Sequence, residues 1–342
     1  MSYVDYIMET TEKLLAIPSP SGFTAEAAKF VSDEFTKMGY EPVITNKGAV
    51  LVELGGADSE HAILLAAHMD TLGAMVTEIK ANGRLKLINI GGLNPNNTEA
   101  ENCTVHTRDG RVYDATFQLT DASLHVNSEY NDTKRTYDSM EALLDELVLS
   151  KEDVEKLGIM AGDYVCFDPR TVVTKSGYIK SRFLDDKFST AILMGLGKYI
   201  KENHISPKRK IYVMITSYEE VGHGGCAAIP ANVMEMISVD MGCVGEGLGC
   251  DETMVSICAK DSRGPYDYQV TTNLINTAKE NNIKFAVDVY PHYGSDVDAA
   301  LYAGHDLKHG LIGPGVYASH GYERSHRLGA ENTFELLKAY LC

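Results

Sequence analysis

The sequence predicts an α/β fold in which a three-layer α/β/α main domain, built on a mixed sheet, carries an inserted β-rich, barrel-like domain. Two observations support this prediction. Strand-like apolar runs alternate with helix-like segments in both terminal parts of the chain, a pattern typical of a sheet covered by helices on both faces. Residues 76–170 instead show short alternating stretches separated by Gly, Asn and Asp turns, which indicates a small β-rich unit. The predicted domains are residues 1–75 together with 171–342, and residues 76–170.

The first part of the main domain is predicted to contain two helices followed by two strands. Apolar residues recur at helical spacing in residues 5–17, and Pro18 stops this helix before a second one that Gly39 ends. Glycines bound the strand predicted at residues 49–54. Residues 62–67 form a continuous apolar run, which is the pattern of a strand buried on both faces. A buried strand is therefore expected to end just before the His-Met-Asp segment that follows it.

The insertion is predicted to consist mainly of strands. Alternating apolar and polar residues indicate strands at residues 84–90, 111–119 and 164–167. One helix is predicted at residues 139–149. Residues 114–151 are unusually polar and match no motif, so their role stays undefined.

After residue 181 the alternation of strands and helices resumes and continues to the end of the chain. A sheet with helices on both faces binds ligands in the crevice beyond the carboxyl ends of its strands. The candidate ligands described below follow predicted strands, so we expect them at that edge. The predicted helices are residues 188–203, 267–282, 296–304 and 333–341, and the predicted strands are residues 210–216, 236–239, 254–259, 284–289 and one near Leu311.

The composition disfavours several classes of protein. The 342 residues carry a formal net charge of −17, whereas nucleic-acid binding depends on Lys and Arg contacts to phosphate. No stretch approaches the roughly 20 apolar residues of a membrane span, and the N-terminal residues lack the pattern of a secretory signal. The seven cysteines form no Cys-x-x-Cys pair, which argues against a disulfide framework and favours a reducing, cytoplasmic location.

Two short segments contain the first candidate metal ligands. The His68 imidazole can bind a metal ion while the carboxylate of Asp70, which points the same way, accepts the other ring N–H. Asp185 and Asp186 precede a helix, where they could cap its N-terminus or could place one carboxylate between two cations. Taken alone, each segment is also compatible with an ordinary capped turn.

Glu219 and Glu220 place two adjacent carboxylates after an apolar strand. Two like charges at the end of a buried strand repel each other and lose solvation, and a bound cation removes that cost. Since neighbouring side chains diverge, one glutamate can bind metal while the other takes a proton from water. A glycosidase would instead need two carboxylates facing each other across a sugar, roughly 5 to 9.5 Å apart, which adjacent residues do not provide. Alternatively, the two glutamates could be surface residues of a solvated loop with no metal site.

Asp240, which ends an apolar strand, and His320, in a loop after a Gly-Pro-Gly turn, complete the candidate set. With His68, Asp185 and Glu220 they provide one histidine and one carboxylate for each of two cations, and one shared carboxylate. Nitrogen and oxygen ligands suit zinc, cobalt or manganese better than calcium. Two such ions about 3.5 to 4 Å apart can activate one water molecule and polarise a carbonyl group. The sequence therefore predicts a two-metal hydrolytic site.

These motifs occur in the order found in a known family. The sequence resembles the tetrahedral aminopeptidases, which include the glutamyl aminopeptidases, within the co-catalytic zinc metallopeptidases. The resemblance spans nearly the whole chain. The segments that carry it are Ala67–Gly73, Ile90–Gly92, Asp185–Lys187, Glu219–Gly222, Val239–Asp240, Gly294–Asp296 and Ser319–His320.

The resemblance implies a role for each candidate ligand. His68 and Asp240 would be terminal ligands of opposite metal ions. Glu220 and His320 would fill the remaining terminal positions, and Asp185 would bridge the two ions.

Further residues receive roles from the same resemblance. Glu219 would be the general base, and Asp70 would orient the histidine ligand that precedes it. Asp186 would follow a cis peptide bond, and Asp296 would lie in a loop that lines the substrate pocket. His326 is an alternative to the C-terminal histidine ligand, because the spacing to the following glutamate differs from that of relatives.

The implied activity is that of a metal-dependent aminopeptidase that removes the N-terminal residue of short peptides. It would use two divalent ions per subunit, with zinc favoured and cobalt or manganese as alternatives. The inserted domain would be a dimerisation domain, from which homo-oligomers between a dimer and a dodecamer are built. The alternative function is a related di-zinc amidohydrolase of the deacylase or carboxypeptidase type, which would bind a substrate carboxylate through Arg263 or Arg324. Neither nucleic acid nor a membrane is an expected partner.

Overall fold

The computed structural model describes residues 2–342, which form two compact units. The first unit contains the residues up to Asp70 together with Arg170–Cys342, and the second is the continuous segment Thr71–Pro169. The sequence places these boundaries at residues 76 and 170. The second unit begins earlier because Gly73 is already paired in its sheet.

Strands and helices alternate in the first unit, and the second consists mainly of strands. The helices are α1 (Tyr3–Leu15), α2 (Ala25–Lys37), α3 (Lys151–Lys156), α4 (Leu184–Glu202), α5 (Tyr268–Glu280), α6 (Asp296–Tyr302) and α7 (Arg327–Leu341). The strands are β1 (Val43–Ile44), β2 (Val50–Gly55), β3 (Asp58–His68), β4 (Gly73–Ile79), β5 (Leu85–Ile90), β6 (Glu101–His106), β7 (Val112–Leu119), β8 (Met140–Leu144), β9 (Tyr164–Phe167), β10 (Val172–Val173), β11 (Tyr178–Ser181), β12 (Arg209–Thr216), β13 (Val233–Val239), β14 (Gly242–Val244), β15 (Val255–Lys260), β16 (Phe285–Val289), β17 (Lys308–Tyr317) and β18 (Glu323–His326). Within residues 2–342, none of these helices is long and apolar enough to cross a bilayer.

The first unit is built on a 12-stranded mixed sheet, whose main path has the strand order β1-β2-β12-β3-β13-β17-β18-β11-β10. The neighbouring strands β12, β3, β13 and β17 run parallel to one another. Parallel neighbours end at the same edge of a sheet, and in register Thr216 at the end of β12 lies beside His68 at the end of β3. The residues that follow these four strands are therefore brought together.

Helices pack on this sheet around strand β3, which lies between β12 and β13. Successive residues of β3 point to opposite faces, and Leu64 and Ala66 join Val297 and Ala300 of α6 in one buried cluster. A second set of helices is formed around α4, which contacts α1, α7 and strand β3. The predicted α/β class with a large mixed sheet is confirmed.

The second unit is a closed antiparallel barrel with the strand order β4-β5-β8-β7-β6-β9, which confirms the barrel-like insertion. The helix predicted at residues 139–149 is wrong, because Met140–Leu144 form strand β8 and pair with β7. In this strand Glu141 is 1% exposed and forms ion pairs with Lys80 and Arg84. Pairing within the barrel therefore decides the conformation, whatever the local helical spacing suggests.

Candidate metal centre

The predicted ligands lie at the carboxyl edge of the four parallel strands. His68 is the last residue of β3, and Asp240 directly follows β13. Glu220 lies in the turn after β12, and His320 lies in the turn after β17. Asp185 comes from the first turn of α4, where its backbone departs from helical geometry. Sheet topology thus brings together side chains that are far apart in the sequence.

The five predicted ligands form two groups that share Asp185. His68, Asp185 and Asp240 form one group, and Asp185, Glu220 and His320 form the other. Within each group, one candidate ligand atom per residue lies within 4.8 Å of the others. The expectation that His68 and Asp240 serve opposite ions is not met, because β3 and β13 are direct neighbours and place both residues in one group.

The Asp185 carboxylate faces both histidines. Its Oδ1 lies 3.1 Å from His68 Nε2, and its Oδ2 lies 3.5 Å from His320 Nε2. The peptide bond between Asp185 and Asp186 is cis, as the resemblance implies. A carboxylate with one oxygen turned towards each group has the geometry of a bridge between two cations.

Asp70 orients His68 through its main chain rather than through its carboxylate. His68 Nδ1 lies 2.9 Å from the Asp70 main-chain oxygen, whereas Asp70 Oδ1 is 3.7 Å away. The Asp70 carboxylate instead accepts hydrogen bonds from the main-chain N–H groups of Glu219, at 3.1 Å, and of Glu220, at 3.3 Å. Ser21 Oγ donates a further bond of 2.5 Å to Asp70 Oδ2. Asp70 therefore fixes both the imidazole ring and the turn that presents the two glutamates.

Glu219 lies beside the first group and faces a cavity. Its Oε2 is 3.7 Å from His68 Nε2, and its side chain is 16% exposed. The cavity has a volume of about 590 Å³. Four of the five predicted ligands, all except His68, also line it. Burial and the charge of Asp240 raise the pKa of Glu219 well above its usual range, although His68 lowers it. A raised pKa makes this carboxylate a stronger base, which suits it to accept a proton from water.

The ligand cluster concentrates buried negative charge. Burial and the charge of Asp185 raise the pKa of Asp240 to about 7 and that of Glu220 well above its usual range. Burial lowers the pKa of His68, but hydrogen bonding to Asp185 and nearby carboxylates hold it well above its usual value. Glu220 Oε1 is buried and has no hydrogen-bond partner in the described part of the chain. Unpartnered carboxylate oxygens are costly to bury unless a cation compensates them, so the donor set fits divalent ions.

Asp296, which the sequence assigns to substrate binding, lies behind the Glu219–Gly225 turn. It is 3% exposed, and its Oδ2 accepts a hydrogen bond of 2.5 Å from Thr216 Oγ1. The helix that it begins does reach the cavity, through Asp298 and Tyr302. The cavity wall also includes Ser262, Arg263 and His292.

Glu323 is a candidate functional residue that the sequence does not single out. It is 2% exposed, its Oε1 accepts a hydrogen bond of 3.0 Å from the His320 main-chain N–H, and its Oε2 accepts one of 3.1 Å from the Asp185 main-chain N–H. Burial and the charge of Asp185 raise its pKa to about 8. Its closeness to His320 in the sequence is the available signal, but the contact with Asp185 depends on the fold.

His326, the alternative to His320, has other contacts. Its Nδ1 accepts a hydrogen bond of 3.1 Å from Leu328 N at the start of α7, and its Nε2 lies 2.9 Å from the Ser176 main-chain oxygen. One tautomer satisfies both contacts. The histidine in the ligand group is therefore His320, and His326 caps a helix.

Comparison with known proteins identifies the family of this chain. Residues 48–336 match the family described as M42 glutamyl aminopeptidase. YhfE of Bacillus subtilis (strain 168), which carries the provisional name of an aminopeptidase, is 43% identical over 341 residues, or 100% of this chain and 99% of that protein.

Solved structures share the fold of the whole chain. Aminopeptidase APDkam598 from the archaeon Desulfurococcus kamchatkensis superposes with a TM-score of 0.88 at 22% identity, over 99% of this chain and 95% of the other. The TET1 peptidase of Pyrococcus horikoshii gives a TM-score of 0.85 at 22% identity, over 97% and 98% of the two chains. The family match covers most of the sequence, and the likeness to YhfE extends along its full length. The chain therefore belongs to the M42 glutamyl aminopeptidase family and is a peptide hydrolase.

Proposed function

We propose that this chain is a two-metal aminopeptidase that releases the N-terminal residue of short peptides. The observation that carries the proposal is the position of Asp185, whose two carboxylate oxygens face two separate ligand groups. Both groups adjoin one cavity, into which Glu219 also points. This arrangement matches the needs of hydrolysis by two metal ions and a carboxylate base.

Two divalent cations suit the donors, with zinc preferred to cobalt or manganese. His68 and Asp240 would hold one ion, Glu220 and His320 would hold the other, and Asp185 would be shared. When bound, the ions would supply Lewis-acid activation of water and of the scissile carbonyl group.

The protein's own residues would then move protons and hold the geometry. Glu219 would take the proton of the attacking water and pass it to the leaving amine, a task that its raised pKa favours. Asp70 fixes the main chain of the Glu219–Glu220 turn through two hydrogen bonds. Glu323 ties the main chain of His320 to that of Asp185.

The cavity favours a substrate with a free amino terminus. Its carboxylates suit an ammonium group better than an acylated nitrogen, which supports an aminopeptidase over a deacylase. Arg263 lines the same cavity and is the group that a carboxypeptidase-type substrate would contact. Arg324, the other candidate, instead pairs with Glu252 at 3.2 Å and lies over the Tyr178 ring.

We further propose that the chain forms a homo-oligomer through its barrel unit. TET1 of Pyrococcus horikoshii can assemble into a tetrahedron or a large octahedral shell. The barrel unit of this chain exposes apolar side chains that a second copy could cover: Leu124, Val126, Leu147 and Leu149.

The activity is tested with metal-depleted protein that is reloaded with zinc, cobalt or manganese. We expect hydrolysis of aminoacyl substrates and of C-terminally blocked peptides, no hydrolysis of N-acylated peptides, and two ions per subunit by elemental analysis. Cleavage of N-acylated peptides alone would overturn the aminopeptidase assignment.

The role of Glu219 is tested by Glu219→Gln, with the exposed Glu41→Gln as the matched control. Because the amide cannot accept the proton, we expect kcat to fall by about 100- to 10,000-fold while both ions remain bound. Wild-type kcat in Glu219→Gln would remove this residue from the base role. Glu41→Gln should match the wild type in both measurements.

A further inference from the structure

Asp296 is a buried acid that the proposed chemistry does not use. It begins α6, is 3% exposed, and accepts a hydrogen bond on Oδ2 from Thr216, the last residue of β12. Its Oδ1 is buried and makes no regular hydrogen bond in residues 2–342, although the main-chain N–H of Gly225 interacts with this carboxyl group and lowers its pKa. Burial raises the pKa of this carboxyl group to about 6. A buried carboxyl oxygen without a regular hydrogen bond lowers stability, so stability alone does not account for an acid here.

Gly224 fills the space between Asp296 and the main chain of Glu219. A Cβ atom added at Gly224 would overlap Asp296 Oδ1, and it would lie 3.0 Å from both the N and Cα atoms of Glu219. A Cβ atom at Gly225 would likewise collide with the Asp296 main-chain oxygen. The turn that presents Glu219 therefore lies directly on the start of α6, with no room for a side chain between them.

Asp70 holds the same turn by other contacts. Its carboxylate accepts the main-chain N–H groups of Glu219 and Glu220. Asp296 accepts a hydrogen bond from Thr216, at the end of the strand that leads into the turn. It also packs against Gly224, which follows the two glutamates in the chain. Together the two aspartates restrain both ends of the segment that carries the proposed base.

We propose that Asp296 is a positioning residue for Glu219, acting through Thr216 and Gly224 rather than by contact with substrate. This inference rests on the proposed function, since it takes Glu219 as the base. Loss of this support shifts the turn that carries Glu219 and its neighbour Glu220, while the other four predicted ligands lie on other segments and keep their positions. A displacement of about 1 Å at a reacting group can cost about 100-fold in rate, so the effect falls on kcat and not on KM.

The experiment compares Asp296→Ala with Asp296→Asn in the metal-loaded enzyme. We expect Asp296→Ala to lower kcat by about 10- to 100-fold, with unchanged KM and two bound ions. Asp296→Asn keeps the shape and the bond to Thr216, so it should retain most of the wild-type kcat. Asp267→Ala is the control: Asp267 caps α5 through Val270 N at 2.8 Å, so its loss should lower Tm and leave kcat unchanged.

Two milder variants test the same contacts if Asp296→Ala does not fold. Thr216→Val removes the hydroxyl that donates to Asp296 and should lower kcat with unchanged KM. Gly224→Ala should lower kcat more strongly than Thr216→Val, because the added Cβ atom overlaps Asp296 Oδ1. The double variant Gly224→Ala/Asp296→Ala should regain part of the lost kcat, because that overlap is removed.

Wild-type kcat in both Asp296→Ala and Thr216→Val would overturn the inference, as would a raised KM that identifies Asp296 as a substrate contact. Neither result affects the proposed function as long as Glu219→Gln is inactive. An active Glu219→Gln would instead overturn the base assignment itself.

Discussion

His320 and His326 show how the contacts of a ring nitrogen separate a ligand from a structural histidine. His320 Nε2 lies 3.5 Å from Asp185 Oδ2 and 3.6 Å from Glu220 Oε2, so it faces two carboxylates. His326 has both ring nitrogens at main-chain partners, one of which is at the start of α7. At the scale of the residue, the partners of the two ring nitrogens therefore decide the role: carboxylates for His320 and main-chain groups for His326.

The two histidines should respond differently to replacement by alanine. His320→Ala removes a ligand and should leave one tightly bound ion with almost no activity. His326→Ala removes a helix cap and should lower the free energy of unfolding by about 1 kcal/mol, with two ions retained. Elemental analysis, peptide hydrolysis and urea unfolding measure these effects. Loss of an ion in His326→Ala with full retention in His320→Ala would reverse the assignment.

At the scale of the element, the ends of β13 and β17 fit closely where Asp240 leaves the sheet. Asp240 N donates a hydrogen bond of 2.9 Å to the Ile312 main-chain oxygen. A Cβ atom at Gly313 would overlap the Asp240 main-chain oxygen and lie 3.3 Å from Met241 Cα. The position of one predicted ligand is thus set by the absence of a side chain on the neighbouring strand.

Gly313→Ala should therefore disturb metal binding through the backbone. The added methyl group must push β13 and β17 apart, which should lower the free energy of unfolding by about 1 to 3 kcal/mol and weaken binding of the ion at Asp240. Gly245→Ala is the control, because a Cβ atom there meets open space. Unfolding curves and metal titrations measure both effects. Equal metal affinity in the two variants would show that this strand contact does not position Asp240.

At the scale of the whole molecule, much of the fold and most of the candidate site follow from local patterns. The apolar run of residues 62–67 predicts a buried strand, and its carboxyl end locates His68. Glu220, Asp240 and His320 follow three further predicted strands. Their positions therefore predict that they meet His68 at one edge of the sheet. Strand order is not written in any local pattern, so the grouping of His68 with Asp240 could not be predicted.

Contacts between distant segments account for the other differences. Residues 140–144 of the predicted helix form a strand because they pair in register with β7 of the barrel unit, where Glu141 also forms ion pairs with Lys80 and Arg84. The support that Asp296 gives to a distant turn and the link from Glu323 to Asp185 depend on tertiary packing. A sequence motif identifies such residues without showing what they contact.

Removal of metal should make the stability of the whole molecule depend on pH. In the metal-free protein, burial and the charge of Asp185 raise the pKa of Asp240 to about 7 and that of Glu323 to about 8. Unfolded carboxyl groups titrate near about pH 4, so above that pH the folded chain binds protons that the unfolded chain has released. The free energy of unfolding should therefore fall as pH rises from about 4 to about 8. The raised pKa of His68 acts in the same direction.

Bound divalent ions should remove most of this dependence, because they compensate the carboxylates and stabilise only the folded chain. At a metal concentration 1,000 times Kd, the gain is about 4 kcal/mol. Thermal unfolding from about pH 5 to about pH 8 should show a Tm that falls for the chelated protein and stays nearly level for the metal-loaded protein. The Tm of chelated Glu323→Gln should fall less steeply with pH, since this variant lacks one of the carboxyl groups whose pKa is raised. A chelated wild-type Tm that rises over this range would mean that the cluster is not a centre of buried negative charge.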